Sequence, residues 1–301
     1  MGTGQIGETQ VTTAVSGFER THGYANINGI RMHYVEAGEG EPVVFLHGFP
    51  EFWYSWRHQM AALAGKYRVI APDQRGYNET ERQGPYDTDT LQADVLALMA
   101  HLGIERAHIV GHDWGGVVAW LLAIEHPEAV RTLTVCNLPH PAVFRRQIRR
   151  NPRQWLRSWY FLFFQLPWLP ERLIALGNYH RLARGIIRQC RPGTFTRDDI
   201  KAFLAAWRRQ GLGGGINWYR AVMRHPRPLA DPVPLIMAPT LLVWGEDDAF
   251  LGKELAEGTD EYVHDLTVHY LPGTSHWVQQ EEPEKVNAYL AQHLERVSVG
   301  G

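Results

Sequence analysis

Short apolar runs alternating with stretches of helical spacing set the rhythm of this chain. Tyr24 to Val35 reads as a hairpin, with Asn28-Gly29 at its turn. Pro42 to Leu46, Tyr67 to Pro72, Ala107 to Val110 and Thr132 to Cys136 are nearly continuous apolar runs, the pattern of strands covered on both faces. Between them, Trp53 to Leu63 has helical apolar spacing. Thr88 to Leu102 puts Leu91, Val95, Leu98, Met99 and Leu102 on one helical face, and Val117 to Ala123 reads as a buried helix. From Pro139 to about Leu229 the alternation stops and the chain reads as helices with Arg-rich and aromatic faces, Gly211 to Gly215 forming a flexible turn among them. Thr240 to Trp244 and Leu266 to Leu271 resume the strands, and a closing helix runs to about Leu294. The expected fold class is α/β: a mostly parallel central sheet flanked by helices, with a helical domain inserted into it. The expected layout is a loose tail over 1–17, a core over 18–138 and 230–301, and a helical cap over 139–229.

Composition sharpens this picture. No run of eighteen apolar residues exists, so no membrane-spanning helix is expected, and the polar start of the chain carries no signal-peptide pattern. Two cysteines give no disulfide framework, and a cytoplasmic protein is expected. The net charge of -2 argues against a nucleic-acid binder. That near-neutrality hides an asymmetry: residues 139–229 hold 18 Lys and Arg against 3 acids, and the remainder holds 12 against 29. The charge change marks the insertion as a distinct module. Its run Arg145, Arg146, Arg149, Arg150, Arg153 and Arg157 suits a solvated face or one meeting the acidic core. Steering of anionic substrates, or contact with an acidic membrane or partner, are the other readings.

The candidate chemistry gathers at strand ends, where open parallel sheets place their sites. Gly111-His112-Asp113-Trp114-Gly115-Gly116 lies between the Ala107 strand and the Val117 helix. A strand, a sharp turn between small residues and a helix is the layout of a nucleophile elbow, with Asp113 as its central residue. Asp is also a favoured helix cap, the plainer reading of the same string. Asp248 follows the strand that ends in Gly245, and His276 follows the last strand through Gly273. Nucleophile, acid and histidine then fall in the chain order of a hydrolase triad, with Asp247 as a competitor for the acid. His47 and His112 are expected to shape their loops.

With His47-Gly48-Phe49-Pro50, Asp73-Gln74-Arg75-Gly76-Tyr77, the Asp113 elbow, Gly245-Glu246-Asp247-Asp248 and Gly273-Thr274-Ser275-His276-Trp277 in view, the chain resembles α/β-hydrolases of the epoxide hydrolase and haloalkane dehalogenase branch. The resemblance spans residues from about 20 to 295. It implies that Asp113, ionised at neutral pH because a free Asp has a pKa of about 3.9, attacks carbon and forms an ester. His276, oriented by Asp248, activates the water that hydrolyses it. The backbone N–H groups of Phe49 and Trp114 form the oxyanion hole. Epoxide hydrolases add two tyrosines from the cap, and this chain has Trp159-Tyr160 to Gln165 and Asn217-Trp218-Tyr219-Arg220 in similar motifs. Tyr160 and Tyr219 are therefore expected to protonate the epoxide oxygen, and Trp159, Phe163, Trp218 and Trp277 to line the pocket.

The resemblance thus implies an epoxide hydrolase that gives vicinal diols from small-molecule epoxides. No Cys/His cluster has ligand spacing and no phosphate-binding Gly loop is present, so no metal or organic cofactor is expected; a monomer or homodimer is expected. A dehalogenase on the same Asp is the first alternative, although Phe49 and Trp114 stand where such enzymes often carry polar side chains. A non-catalytic ligand receptor is the second. No Ser stands at the elbow, which argues against a serine esterase.

Overall fold

The computed structural model describes residues 10–12 and 18–298. Among these, nine strands form one sheet: β1 (Gln10–Thr12), β2 (Arg20–Ile27), β3 (Ile30–Ala37), β4 (Glu41–Leu46), β5 (Tyr67–Pro72), β6 (Ala107–His112), β7 (Val130–Cys136), β8 (Thr240–Gly245) and β9 (Leu266–Leu271). Their order is β1-β2-β3-β5-β4-β6-β7-β8-β9. The first three strands are antiparallel, β3 runs antiparallel to β5, and the rest are parallel. Asn28 and Gly29 turn the β2–β3 hairpin, both at positive φ, as a tight two-residue turn requires. Part of the expected N-terminal tail is not loose: Gln10–Thr12 pairs with Arg20–His22 as an edge strand. The other residues of that tail lie outside the described residues.

The apolar runs form the middle of the sheet because both of its faces are covered. On β4, Val44 and Leu46 face one way, towards the buried sides of α2 (Thr88–His101) and α3 (Trp114–Glu125). Val43 and Phe45 face the other way, towards α1 (Arg57–Leu63) and α12 (Pro283–Ser298). The strand's two-residue period and the two helical layers account for an uninterrupted apolar strand sequence.

Between β7 and β8 the chain leaves the sheet for seven helices: α4 (Pro141–Arg150), α5 (Pro152–Arg157), α6 (Trp159–Phe164), α7 (Leu169–Ala175), α8 (His180–Gln189), α9 (Arg197–Gln210) and α10 (Gly213–Arg224). α11 (Val278–Glu281) precedes α12. The expected flexible turn over Gly211 to Gly215 is corrected here, since Gly213, Gly214 and Gly215 are the first turn of α10. Their purpose is close approach. A Cβ on Gly214 would lie 2.1 Å from the Gly76 carbonyl oxygen, and one on Gly215 would lie 2.4 Å from the Tyr77 hydroxyl. Only glycine lets α10 settle onto the loop after β5. Among the described residues no helix is long and apolar enough to cross a membrane.

Candidate active site

Asp113 stands between β6 and α3 with φ of 49° and ψ of -121°. A non-glycine residue at positive φ is strained, and the neighbours make that conformation possible. A Cβ on Gly111 would lie 2.4 Å from the Gly115 carbonyl oxygen, and one on Gly115 would lie 2.0 Å from that of Leu46. Asp113 occupies the N-cap position of α3, yet its carboxylate makes no capping bond. Instead its Oδ1 accepts the Phe49 backbone N–H at 2.7 Å. Its Oδ2 lies 3.6 Å from His276 Nε2. Trp114 is the first residue of α3, where the helix supplies no carbonyl for its N–H.

His276 bonds through Nδ1 to Asp248 Oδ2 at 2.7 Å. Asp248 is held on every side: its Oδ1 accepts the N–H groups of Phe250 and Leu251, and its Oδ2 accepts the Asn137 amide at 2.7 Å. Burial disfavours its charge, but His276 and these donors outweigh burial and bring its pKa below the usual carboxylate range. Burial likewise works against a charged His276, and the carboxylates of Asp248 and Asp113 overcome it, raising the imidazole to about 10. Asp247 is exposed, and it is Asp248 that bonds the histidine.

Tyr160 of α6 and Tyr219 of α10 descend from the insertion, their rings 5.8 Å apart and edge to face. Burial, reinforced by the Asp113 charge, pushes both phenols well above their ordinary value, so both remain protonated donors. Two cavities meet at this point. A larger one, about 360 Å³, is lined by Asp113, His276, Trp159, Phe163 and Trp277; a second, about 180 Å³, by Trp114, Phe144, Phe161 and Leu251. Asp113, Tyr160 and Tyr219 line both. Of the four expected pocket residues, Trp218 lines neither cavity. It is buried behind the site, edge to face with Trp114 and Tyr77, and its indole N–H donates to the Arg75 carbonyl. One helical turn cannot aim both Trp218 and Tyr219 at the same space, and Tyr219 takes it.

The supporting groups are less visible in sequence. Glu51, in the loop after β4, bonds to His112 Nδ1 at 2.8 Å, to Ser55 and to the Gln280 amide. Burial opposes its ionisation, but His112 and its hydrogen bonds lower it to about 2. His112 Nε2 in turn donates to the His276 carbonyl at 2.9 Å. The residue before the nucleophile thus ties the loop of Glu51 to the loop of the histidine. His47 fixes another loop, accepting the Gln74 N–H at Nε2 and donating from Nδ1 to the Gly48 carbonyl. Asn137, at positive φ after β7, also accepts the Gly245 N–H and so aligns β8 as it holds Asp248. The position of Asn137 at a strand end is the one sequence signal for it. Glu51 directly follows the His47-Gly48-Phe49-Pro50 motif, with nothing local to mark its partners. Among the described residues no group of three or more His, Cys, Asp or Glu is placed to hold a metal ion.

Comparison with known proteins gives the family. Residues 41–283 match the alpha/beta hydrolase fold family. The chain is 44% identical over 290 residues to Epoxide hydrolase 4 of Homo sapiens, covering 90% of this chain and 78% of that protein. It is 39% identical to AB hydrolase superfamily protein YfhM of Bacillus subtilis, covering 90% of this chain and 96% of that one. The crystal structure of a Bacillus megaterium epoxide hydrolase in complex with an inhibitor superposes with a TM-score of 0.84 at 32% identity, covering 90% of this chain and 99% of that one. The chain belongs to the α/β-hydrolase fold family and, within it, to the epoxide hydrolases.

Proposed function

We propose that this protein adds water to an epoxide to give a vicinal diol, through a covalent ester on Asp113. One observation carries the reading: a strained carboxylate has one oxygen held by a backbone N–H and the other near His276, in a cavity that Tyr160 and Tyr219 also line. A halide leaving group has no need of such acids, whereas an epoxide opens to a poor leaving group, an alkoxide, which needs a proton.

In the first half-reaction Asp113 Oδ2 attacks an oxirane carbon. The C–O bond breaks, and the oxygen takes a proton from Tyr160 or Tyr219. The resulting ester is neutral, so His276 loses one of the two carboxylates that raise it. Its proton passes to the tyrosinate, and the neutral ring becomes a base. In the second half-reaction His276 takes a proton from water as the hydroxide attacks Asp113 Cγ. The tetrahedral oxyanion forms at Oδ1, where the Phe49 N–H already donates and the Trp114 N–H is the second donor. Collapse expels the diol oxygen, which takes the proton from His276. The acid left on Asp113 then returns its proton to the ring, restoring the resting charges. Asp248 holds the imidazolium throughout.

Asp113, Asp248, His276, Tyr160 and Tyr219 are thus the reacting or activating groups, and Trp159, Phe163 and Trp277 the pocket wall. The helical insertion acts as a cap that brings the tyrosines. Two free, buried thiols, Cys136 and Cys190, suit a reducing compartment, and the cytoplasm remains part of this reading. The test is product analysis. A styrene-type epoxide is expected to give diol, and a haloalkane of similar size is expected to release no halide. Halide release unaffected by replacing both tyrosines with Phe would overturn the assignment.

A further inference from the structure

Twelve large apolar side chains are strongly exposed among the described residues, and eight of them lie between Trp155 and Leu176 on α5, α6, α7 and their joints. Leu156 is 76% exposed, Trp159 62% and Trp168 60%. So dense an apolar surface marks a place of contact.

The insertion's arginines divide into two groups. Arg146, Arg191, Arg209, Arg220 and Arg227 each pair with a glutamate, four of them on the acidic body and Arg220 with Glu171 of the insertion itself. Arg145, Arg149, Arg150, Arg153 and Arg157, next to the apolar stretch, have no carboxylate partner among the described residues. Trp155 shares a surface hollow with Arg149 and Arg150, and Arg172 lies 4.9 Å over the Trp168 ring. Exposed Trp and Leu interleaved with free arginine heads is the chemistry of a helix surface lying in an anionic bilayer interface. Trp159 is both part of this stretch and a wall of the larger cavity, so the apolar surface continues into the cavity mouth. A second copy of the chain is a poor occupant. A two-fold interface would bring the same unpaired cations face to face.

We propose that the α5–α7 face docks on an anionic lipid bilayer, with its Trp and Leu side chains at the headgroup–acyl boundary and the unpaired arginines on the headgroups. Docking does not depend on the chemistry at Asp113. Its consequence, entry of lipid-dissolved epoxides directly from the membrane, rests on the epoxide reading.

The test is co-sedimentation of the full chain with vesicles of phosphatidylcholine alone and of phosphatidylcholine mixed with phosphatidylglycerol. Binding to the mixed vesicles is expected to be stronger by about tenfold or more and to weaken with added salt. The triple variant Leu156→Gln, Leu162→Gln and Trp168→Gln is expected to lose that binding while hydrolysing a water-soluble epoxide at the parent rate. Arg149→Gln, Arg150→Gln and Arg153→Gln together are expected to remove the preference for anionic lipid. No association with either vesicle overturns the proposal. So does a dimer in sedimentation velocity that the apolar triple variant dissociates. Vesicle binding without diol formation would leave docking standing and refute the epoxide reading instead.

Discussion

Asp113 holds its strained backbone at a cost of about 1–3 kcal/mol, in return for a carboxylate aimed out of the sheet and away from its own helix end. The charges around it make testable demands. His276 is raised from its ordinary value to about 10 by Asp248 and Asp113 against the opposing effect of burial. A group raised on folding contributes stability that is complete below its unfolded pKa of about 6.5 and lost as pH rises through its folded value. Asp113→Asn removes one of the two raising charges. The gap in melting temperature between parent and variant is therefore expected to shift against the parent between pH 6.5 and 10. Thermal scans across that range check it, and a pH-independent gap would contradict it. For the acids, Tyr160→Phe and Tyr219→Phe are each expected to slow ester formation by about 100-fold or more in single-turnover kinetics. Protein folding should be unchanged. At this scale the sequence was informative about placement wherever placement follows from position: Asp113 stands between its glycines, Asp248 rather than Asp247 bonds His276, and His276 reaches Asp113 from the loop after the last strand. It was silent on Glu51 and Asn137, whose roles exist only once separate strands bring their partners together.

Among the elements, α10 has the most specific seat. Its glycine turn rests on the Gly76 backbone, which helps to fix Tyr219 in the cavities it lines with Asp113. Gly214→Ala would put a methyl group 2.1 Å from a carbonyl oxygen. The expected outcome is a loss of about 1–3 kcal/mol in stability, from strain in a packed contact. A fall in kcat larger than the change in KM should accompany it, because Tyr219 moves with the helix. Chemical denaturation and steady-state kinetics measure the two. Glycine is a poor helix former, so local propensity pointed to a turn here, and tertiary contact overrode it. Strands were legible for the opposite reason: burial on two faces writes itself directly into an unbroken apolar run. Trp218 shows the limit of a motif, which named the adjacent pair but not which of the two rings faces the cavity.

At the scale of the whole molecule, surface Arg–Glu pairs and a smaller set of buried polar contacts join the insertion to the body. Asp199 of α9 pairs with Arg57 at 3.0 Å and accepts the Tyr54 hydroxyl at 3.0 Å. The Trp207 indole donates to the Pro50 carbonyl, one residue from the Phe49 N–H that holds the nucleophile. Arg57→Ala leaves a buried carboxylate without its cation and is expected to cost about 3–5 kcal/mol in denaturant unfolding. A loss below about 1 kcal/mol would mean that this buried pair does little to hold the insertion on the body. The charge asymmetry made this division of the molecule legible in sequence. It could not say which arginines meet the body and which face outwards, because that depends on where each helix lies.

The central claim is that Asp113 itself becomes bonded to substrate. The most direct test is a single turnover of a styrene-type epoxide in water enriched in heavy oxygen, with excess protein and mass analysis of both diol and peptide. The covalent route predicts an unlabelled diol in that first turnover and heavy oxygen in the peptide that carries Asp113. A labelled diol with an unlabelled peptide would mean that water attacks the epoxide directly, and would contradict it.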